Sequence, residues 1–246
     1  VIDGHGANGH FVSEFVRDNL APQILEQRRV KSSDGMRAAL AHGFVDTAKK
    51  LDHRRDIDAK ESGAVVAVCM KKGKDLYVAN VGDTRAVLAY EDDSGRMKAQ
   101  ALTRDHTASL KSEQQRIKAK GGEIAQIYVP NVGFAGPPRV WQRSQGVGGL
   151  MVTRAIGDTN LNPVGVTAEP EVVKHRVRPC DKLVVMASDG CWDYVSNDRV
   201  VEIASQHPDP RQASEAVVQE ARRAWRRAAG GGDRYRDDIT CMVLKV

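Results

Sequence analysis

The sequence contains no hydrophobic segment long enough to cross a membrane. Its longest apolar run, residues 64–70, has seven residues, whereas a membrane-spanning helix needs about 20. No basic and then apolar segment typical of a secretory signal opens the chain. The three Trp, five Tyr and four Phe are scattered and form no base-stacking pattern. We therefore expect a protein with no membrane span and no nucleic-acid partner.

Cysteine is scarce, and the four cysteines do not have the spacing of a zinc site or of a Cys-x-x-Cys redox pair. Three of them lie inside apolar runs, which predicts buried and reduced thiols. We expect a reducing compartment, the cytoplasm or the nucleus. The net charge of +5 is compatible with an anionic partner but is too small to indicate nucleic-acid binding.

Several widespread catalytic motifs are also missing. No cysteine is followed six positions later by arginine, which excludes the loop of thiolate-dependent phosphatases. The P-loop, G-x-S-x-G and H-E-x-x-H motifs do not occur. Residues 4–9 match G-x-G-x-x-G, but residues 20–27 predict a helix where a dinucleotide-binding fold needs a second parallel strand.

Strand patterns follow one another without intervening helices over residues 63–90, which favours an antiparallel meander. Strands are predicted at residues 63–70, 76–81, 84–90, 171–177, 182–187 and 239–246. Helices are predicted at residues 10–28, with a break or kink at Pro22, and at residues 35–54, 110–120 and 209–229. Residues 130–162, rich in Gly and Pro, predict no regular element. We expect one monomeric domain over residues 1–246, with sheets packed face to face and helices outside.

Aspartate recurs next to glycine where an apolar run ends. Asp3 and Asp189 each follow such a run, Asp83 follows Gly82, and Asp238 precedes the last predicted strand. One Asp-Gly pair is normally only a turn, but several carboxylates at strand ends can meet at one rim of paired sheets. Hard oxygen ligands without a Cys or His cluster favour Mg²⁺ or Mn²⁺ over zinc. The sequence therefore predicts a divalent metal site at that rim.

Eight short motifs, in order along nearly the whole chain, resemble those of the metal-dependent protein phosphatases, the type 2C serine/threonine class. They lie at residues 3–6, 78–85, 102–106, 113–122, 150–158, 169–171, 187–193 and 238–240. The resemblance implies an α+β fold, a four-layer α-β-β-α sandwich of two antiparallel sheets flanked by helices. It also implies hydrolysis of phosphoserine or phosphothreonine in protein substrates, by a water held between two Mg²⁺ or Mn²⁺ ions and without a phosphoenzyme.

The resemblance assigns roles to individual residues. Asp3 would bridge both ions, the Gly4 carbonyl would bind one of them, and Asp189 and Asp238 would bind the first ion. His5 would be the general acid that protonates the leaving Ser or Thr oxygen, and its structural alternative is a helix-entry histidine bonded to backbone.

Further charged residues have weaker assignments. In some members of the family a third, weaker ion is bound by acids that match Asp105 and Asp193. Near the C-terminus, six arginines predict a solvated helix face, with docking of acidic or phosphorylated partners as the alternative. These are Arg222, Arg223, Arg226, Arg227, Arg234 and Arg236.

Other motif residues are predicted to be structural. We expect an ion pair between Asp83 and Arg85 and another between Arg154 and Asp158, both at turns. Trp192 is expected to be buried in the core rather than to bind substrate.

The chain departs from the family pattern in three places. Residues 61–64 read Glu-Ser-Gly-Ala where most members have Ser-Thr-Ala, so a hydroxyl is lost near the metal rim. Ile239 stands where the family usually has Asn. The family has an upstream strand that supplies a phosphate-binding Arg and an acidic pair, and we expect such a strand before Val1. The alternative to an enzyme is a catalytically silent relative that acts as a regulatory binding module.

Overall fold

Two antiparallel sheets form the centre of the computed structural model, which describes residues 1–27, 35–228, 230 and 237–246. The first sheet contains, in spatial order, β1 (Ile2–His5), β2 (Gly63–Lys72), β3 (Asp75–Val81) and β10 (Glu171–Arg176). The short strand β9 (Ile156–Gly157) pairs with the start of β2. The second sheet contains β12 (Cys241–Lys245), β11 (Asp181–Ala187), β4 (Arg85–Glu91) and β5 (Met97–Ala101).

Helices cover the outer face of each sheet. The first sheet carries α1 (Gly9–Gln27) and α2 (Gly35–Asp52), and the second carries α5 (Asn197–Ser205) and α6 (Pro210–Ala228). Helix α1 continues through Pro22, so the predicted break is wrong, because burial of α1 against α2 and the sheet holds the helix together. The predicted helix ends at Arg28 and Ala229, and Arg234 and Arg236 of the predicted basic cluster, lie outside the described residues.

The alternation of side chains along the strands separates the apolar layers. On β2, Ala64 and Val66 face α1 and α2, whereas Ala67 faces the second sheet. On β4, Leu88 lies between the two sheets and Val87 packs with α5 and α6. Each sheet is therefore buried on both faces, with successive residues serving different layers. This order of layers confirms the predicted α-β-β-α sandwich of the α+β class.

A third antiparallel sheet lies beside the sandwich, where the sequence predicts no regular element. It consists of β6 (Glu123–Val129), β7 (Gly133–Gln142) and β8 (Val147–Leu150), and α3 (Lys111–Ala119) shares its small core. Most side chains of β6 and β7 are exposed or half-buried, so the apolar alternation that marks a strand is absent. The sequence also does not predict β5, α5, the short helix α4 (Asp189–Trp192) or the 3-10 helices Arg143–Gln145 and Thr159–Val164.

Among the described residues, no helix is long and apolar enough to cross a membrane. All four cysteines are free thiols, with Cys191 buried and the others half-buried. Burial raises the pKa of Cys191 to about 12 and that of Cys69 to about 11, so both thiols stay protonated. The expectation of a single domain with a further strand before Val1 stays a prediction.

Candidate active site

A cavity of about 630 Å³ at the strand ends brings most of the predicted site together. Asp3, Gly4, His5, Asp189 and Asp238 all line it. The lining also includes Lys60, Glu61, Asp83, Asp158, Leu161 and Asp237. The third sheet contributes Arg139 and residues 147–150, and residues 151–152 after β8 also line the cavity. The other two predicted ligands, Asp105 and Asp193, are not among the lining residues.

The two sheets place the aspartates from opposite sides. Asp3 lies in β1 of the first sheet, and Asp189 begins α4 one residue after β11 of the second sheet ends. The hydroxyl of Ser188 donates to the carbonyl oxygen of Asp238 at 3.0 Å, which ties the segment before β12 to the end of β11. A Cβ atom on Gly190 would overlap the same carbonyl, so glycine allows this close approach.

The carboxylates of the cavity repel one another. Burial and the charge of Asp189 raise the pKa of both Asp3 and Asp83 to about 7. Burial and the charge of Asp237 raise the pKa of Asp189, whose side chain is hydrogen-bonded to that of Asp3. Within the described residues, the buried Oδ1 of Asp189 has no hydrogen-bond partner. A set of acids in this state is stabilised by cations that replace the bound protons.

The side chains that line the cavity provide the type of ligand atom that the predicted Mg²⁺ or Mn²⁺ ions need. In the described ranges, no group of three or more His, Cys, Asp or Glu side chains already encloses a position for an ion. The cavity nevertheless offers several Asp and Glu carboxylate oxygens as metal ligands, and none of the described lining residues is a cysteine. Mg²⁺ and Mn²⁺ prefer this chemistry, and the unpartnered acceptor on Asp189 gives such an ion a place to bind. The residues therefore fit a divalent cation.

His5 forms an ion pair that the sequence does not predict. Its Nε2 lies 2.7 Å from Oδ2 of Asp158, which corrects the predicted pairing of Asp158 with Arg154. Burial by itself would lower the pKa of His5, but the hydrogen bond and charge of Asp158 outweigh it and raise that pKa. The ring is therefore biased towards the protonated form, which can donate a proton.

The start of β2 makes room for this pair. A Cβ atom on Gly63 would overlap the Asp158 carboxylate and would stand 2.8 Å from Nε2 of His5. The backbone N–H of Asp158 donates to the carbonyl of Ser62 at 2.9 Å, and Asp158 has a left-handed φ of 50°. Glycine in place of the family's usual residue thus has a physical reason in this chain. The sequence signal for Asp158 was its position after Gly157 at the end of a matched motif.

Asp105 and Asp193 lie beside the cavity. Arg85 donates from Nε and Nη2 to the two oxygens of Asp105, at 3.0 and 2.6 Å. The predicted pair of Arg85 with Asp83 is therefore wrong, because Asp105 reaches the guanidinium across the sheet and Asp83 turns to the cavity. Burial and the charge of Asp189 raise the pKa of Asp193 to about 6.

Arg154 has a different partner from the one predicted. It donates from Nε and Nη2 to the carboxylate of Glu113, at 3.0 and 2.8 Å, rather than to Asp158. Arg116 and the hydroxyl of Thr153 also contact this carboxylate, each at 2.7 Å. Burial would raise the pKa of Glu113, but these hydrogen bonds lower it to about 2. The cluster ties α3 to the segment that leads to Asp158.

Trp192 is buried as the sequence predicts, with 7% of its surface exposed. Its Nε1 donates to the carbonyl of Ala187 at 2.7 Å, and the Arg85 guanidinium lies 5.2 Å from the centre of its ring. This packing fixes α4, and with it Asp189, against the second sheet.

Comparisons with known proteins agree with this geometry. The family model of protein phosphatase 2C matches residues 1–228. Probable protein phosphatase 2C 34 of Arabidopsis thaliana is 33% identical over 258 residues, covering 99% of this chain and 70% of that protein. Probable protein phosphatase 2C 12 of Oryza sativa subsp. japonica is 34% identical, covering 92% of this chain and 68% of that protein. A crystal structure of serine-threonine phosphatase 2C from Toxoplasma gondii has a TM-score of 0.80 at 24% identity, covering 99% of this chain and 83% of that chain.

The sandwich and its carboxylate-lined cavity define the class of metal-dependent phosphatases. The chain belongs to the protein phosphatase 2C family. It is thus a serine/threonine protein phosphatase by family, with phosphorylated proteins as the substrate class and Mg²⁺ or Mn²⁺ as the family's metals.

Proposed function

We propose that the chain hydrolyses phosphoserine and phosphothreonine in this cavity, with Asp3, the Gly4 carbonyl, Asp189 and Asp238 holding two Mg²⁺ or Mn²⁺ ions. The convergence of aspartates from both sheets on a cavity that also contains His5 carries the proposal. Bound ions would supply an acidified water and offset charge on the phosphoryl oxygens. No side-chain nucleophile takes part, so no phosphoenzyme forms.

His5 protonates the departing Ser or Thr oxygen in this proposal. Asp158 binds Nε2 at 2.7 Å, holds the ring in one orientation and favours its protonated form. Nδ1, which has no hydrogen-bond partner in the described part of the chain, remains for the substrate. The ring is 30% exposed, so the leaving group can approach it from the cavity.

A third and weaker ion at Asp105 and Asp193 belongs to the same proposal. Both oxygens of Asp105 are hydrogen-bonded to Arg85, so an ion there competes with a guanidinium. Burial and the charge of Asp189 raise the pKa of Asp193, so a cation bound there would stabilise its ionised form. These contacts support a site that exchanges its ion readily.

Turnover of a phosphothreonine peptide by the full chain tests the proposal. Hydrolysis should vanish with EDTA and return with Mn²⁺ or Mg²⁺, and Asp238→Asn should lower kcat by about 10²-fold or more. Activity that survives chelation, or a trapped phosphoenzyme, would contradict the mechanism. Tight Mn²⁺ binding without hydrolysis would instead identify a silent regulatory module.

We also infer that the chain acts as a monomer in a reducing compartment, the cytoplasm or the nucleus. The four free thiols support a reducing environment, since a disulfide-rich extracellular protein would pair them. The sedimentation coefficient of the purified chain would test this inference, and a value that corresponds to a dimer would contradict it.

A further inference from the structure

Arg139 is, among the described residues, the only arginine that lines the cavity. It lies on β7, so the third sheet and not the sandwich provides it. Lys60 is the other permanently cationic side chain of the lining, and the remaining charged groups, apart from His5, are carboxylates. A cation on this wall therefore faces the space that a phosphorylated substrate occupies.

The guanidinium of Arg139 is only partly hydrogen-bonded. Nη1 donates to the carbonyl of Gly149 at 2.6 Å, whereas the buried Nε has no partner within the described residues. Arg85 and Arg154 differ, because each donates two hydrogen bonds to one carboxylate. Buried donors without partners are rare in folded proteins and mark functional or strained positions. Arg139 is thus the arginine near the site whose charge the described carboxylates leave unpaired.

An irregularity in the pairing of β7 with β8 helps to position the side chain of Arg139. The pairing of β7 with β8 shifts between Val140 and Trp141, which leaves Gly149 as an extra residue. Gly149 has a φ of 95°, and a Cβ on Gly148 would stand 2.6 Å from the Cα of Trp141. A bulge of this kind re-aims a neighbouring side chain and is common beside active sites. The Gly149 carbonyl at the bulge is the group that holds Arg139.

We propose that Arg139 binds an oxyanion of the phosphorylated substrate, in addition to the groups that the metals hold. The inference rests on the proposed function. With Nη1 held by Gly149 and Nε shielded from solvent, Nη2 is the guanidinium nitrogen that can donate to an oxygen of a phosphate or carboxylate. A cavity of about 630 Å³ has room for more than a phosphoryl group, so the oxyanion is a phosphoryl oxygen or an acidic side chain beside the phosphorylated residue.

The test compares KM and kcat of the Mn²⁺-loaded full chain with those of Arg139→Met and Arg139→Lys. The substrates are p-nitrophenyl phosphate and phosphothreonine peptides with either Glu or Ala beside the phosphothreonine, and inorganic phosphate serves as inhibitor. Arg139→Met should raise KM about tenfold or more, while Arg139→Lys, which keeps the charge but replaces the planar guanidinium by an ammonium, should recover part of the loss. A rise for every substrate, with weaker phosphate inhibition, identifies a phosphoryl oxygen. A rise only for the Glu peptide identifies the neighbouring carboxylate.

Arg143→Met is the matched control, because Arg143 lies in the same region, pairs with the exposed Glu123 and does not line the cavity. It should leave KM unchanged. An active wild type with unchanged KM in Arg139→Met, or with a loss only in Tm and kcat, would overturn the inference and leave Arg139 as a brace of the third sheet. A wild type without turnover would contradict the proposed function itself.

Discussion

The pair formed by His5 and Asp158 concentrates the proton chemistry of the cavity on two residues. The His5 side chain is 30% exposed and that of Asp158 is 4% exposed, so the ring meets the cavity while its partner stays shielded. Asp158 adopts a left-handed backbone, a conformation that costs about 1 to 3 kcal/mol in a residue other than glycine. Strain of this kind persists where the surrounding structure enforces it, here through Ser62 and Gly63.

The role of His5 predicts a dependence on the leaving group. His5→Ala should lower kcat on phosphoserine peptides by about 10²-fold or more, because a serine alkoxide leaves poorly without a proton. On p-nitrophenyl phosphate, whose phenolate leaves readily, the loss should be much smaller. Steady-state kinetics on both substrates measures the difference.

Asp158→Asn should show the same selectivity with a smaller loss, because asparagine can hold the ring but lacks the charge that favours protonation. His53→Ala, at the exposed end of α2, is the control and should leave both rates unchanged. Equal losses on the two substrates would show that His5 is a structural residue.

At the scale of elements, the sequence predicts best where a periodic pattern and a local start signal agree. For α6, Asp209 precedes Pro210, and its carboxylate accepts the N–H of Arg211 at 3.0 Å, as a helix start requires. Helix α5 has a comparable start signal in Ser196, whose side chain accepts the N–H of Arg199. The sequence does not predict α5 because a helix of nine residues shows too little periodicity. The third sheet escapes prediction because its exposed strands lack alternation.

Contacts distant in sequence could not be predicted in this way. Asp3, Asp189 and Asp238 could be identified from local patterns, since each lies within or close to a short apolar strand segment of the sequence. The partners of Arg85 and Arg154 depend on which loops the sandwich brings together, and nearest charges in the sequence were the wrong choice in both cases. Which residues face each other across the site is thus set by the topology of the fold and not by their spacing along the sequence.

The anchoring of α3 by Glu113 predicts a dependence of stability on pH. Its carboxylate is 2% exposed and its pKa is lowered to about 2, below the ordinary value of 4.5. The stabilisation is therefore complete above about pH 4.5 and is lost as the pH falls towards 2, with a total of about 3 kcal/mol. Glu113→Gln should lower the free energy of unfolding by about 3 kcal/mol or more at pH 7, and the difference from wild type should shrink below pH 4.5.

Urea unfolding at pH 7, 5 and 3.5 measures this difference. Glu123→Gln is the control, because the pair of Glu123 with Arg143 is more than half exposed and should contribute less than about 1 kcal/mol. A constant difference between wild type and Glu113→Gln down to pH 3.5 would show that the Glu113 charge does not stabilise the fold.

At the scale of the whole molecule, activity and stability place opposite demands on the strand ends. The sandwich brings Asp3 from one sheet and Asp189 from the other to one cavity, where burial and mutual repulsion raise the pKa of both carboxyls. Without cations this arrangement destabilises the fold, and with cations it becomes a binding site. Natural sites often sacrifice stability in this way.

This opposition predicts that Asp189→Asn is more stable than wild type in EDTA and responds less to metal. Removal of one repelling charge should raise Tm by about 2 to 4 °C, since a gain near 1 kcal/mol has that effect in a chain of this size. Mn²⁺ at 100 times its Kd should add about 2.7 kcal/mol per site to wild type, and markedly less to the variant. Thermal unfolding in EDTA and in Mn²⁺ measures both effects, with the exposed Asp93→Asn as a control that should behave as wild type. A variant that is less stable than wild type in EDTA would show that repulsion does not dominate the cavity, and an equal response to Mn²⁺ would remove Asp189 from the ligand set.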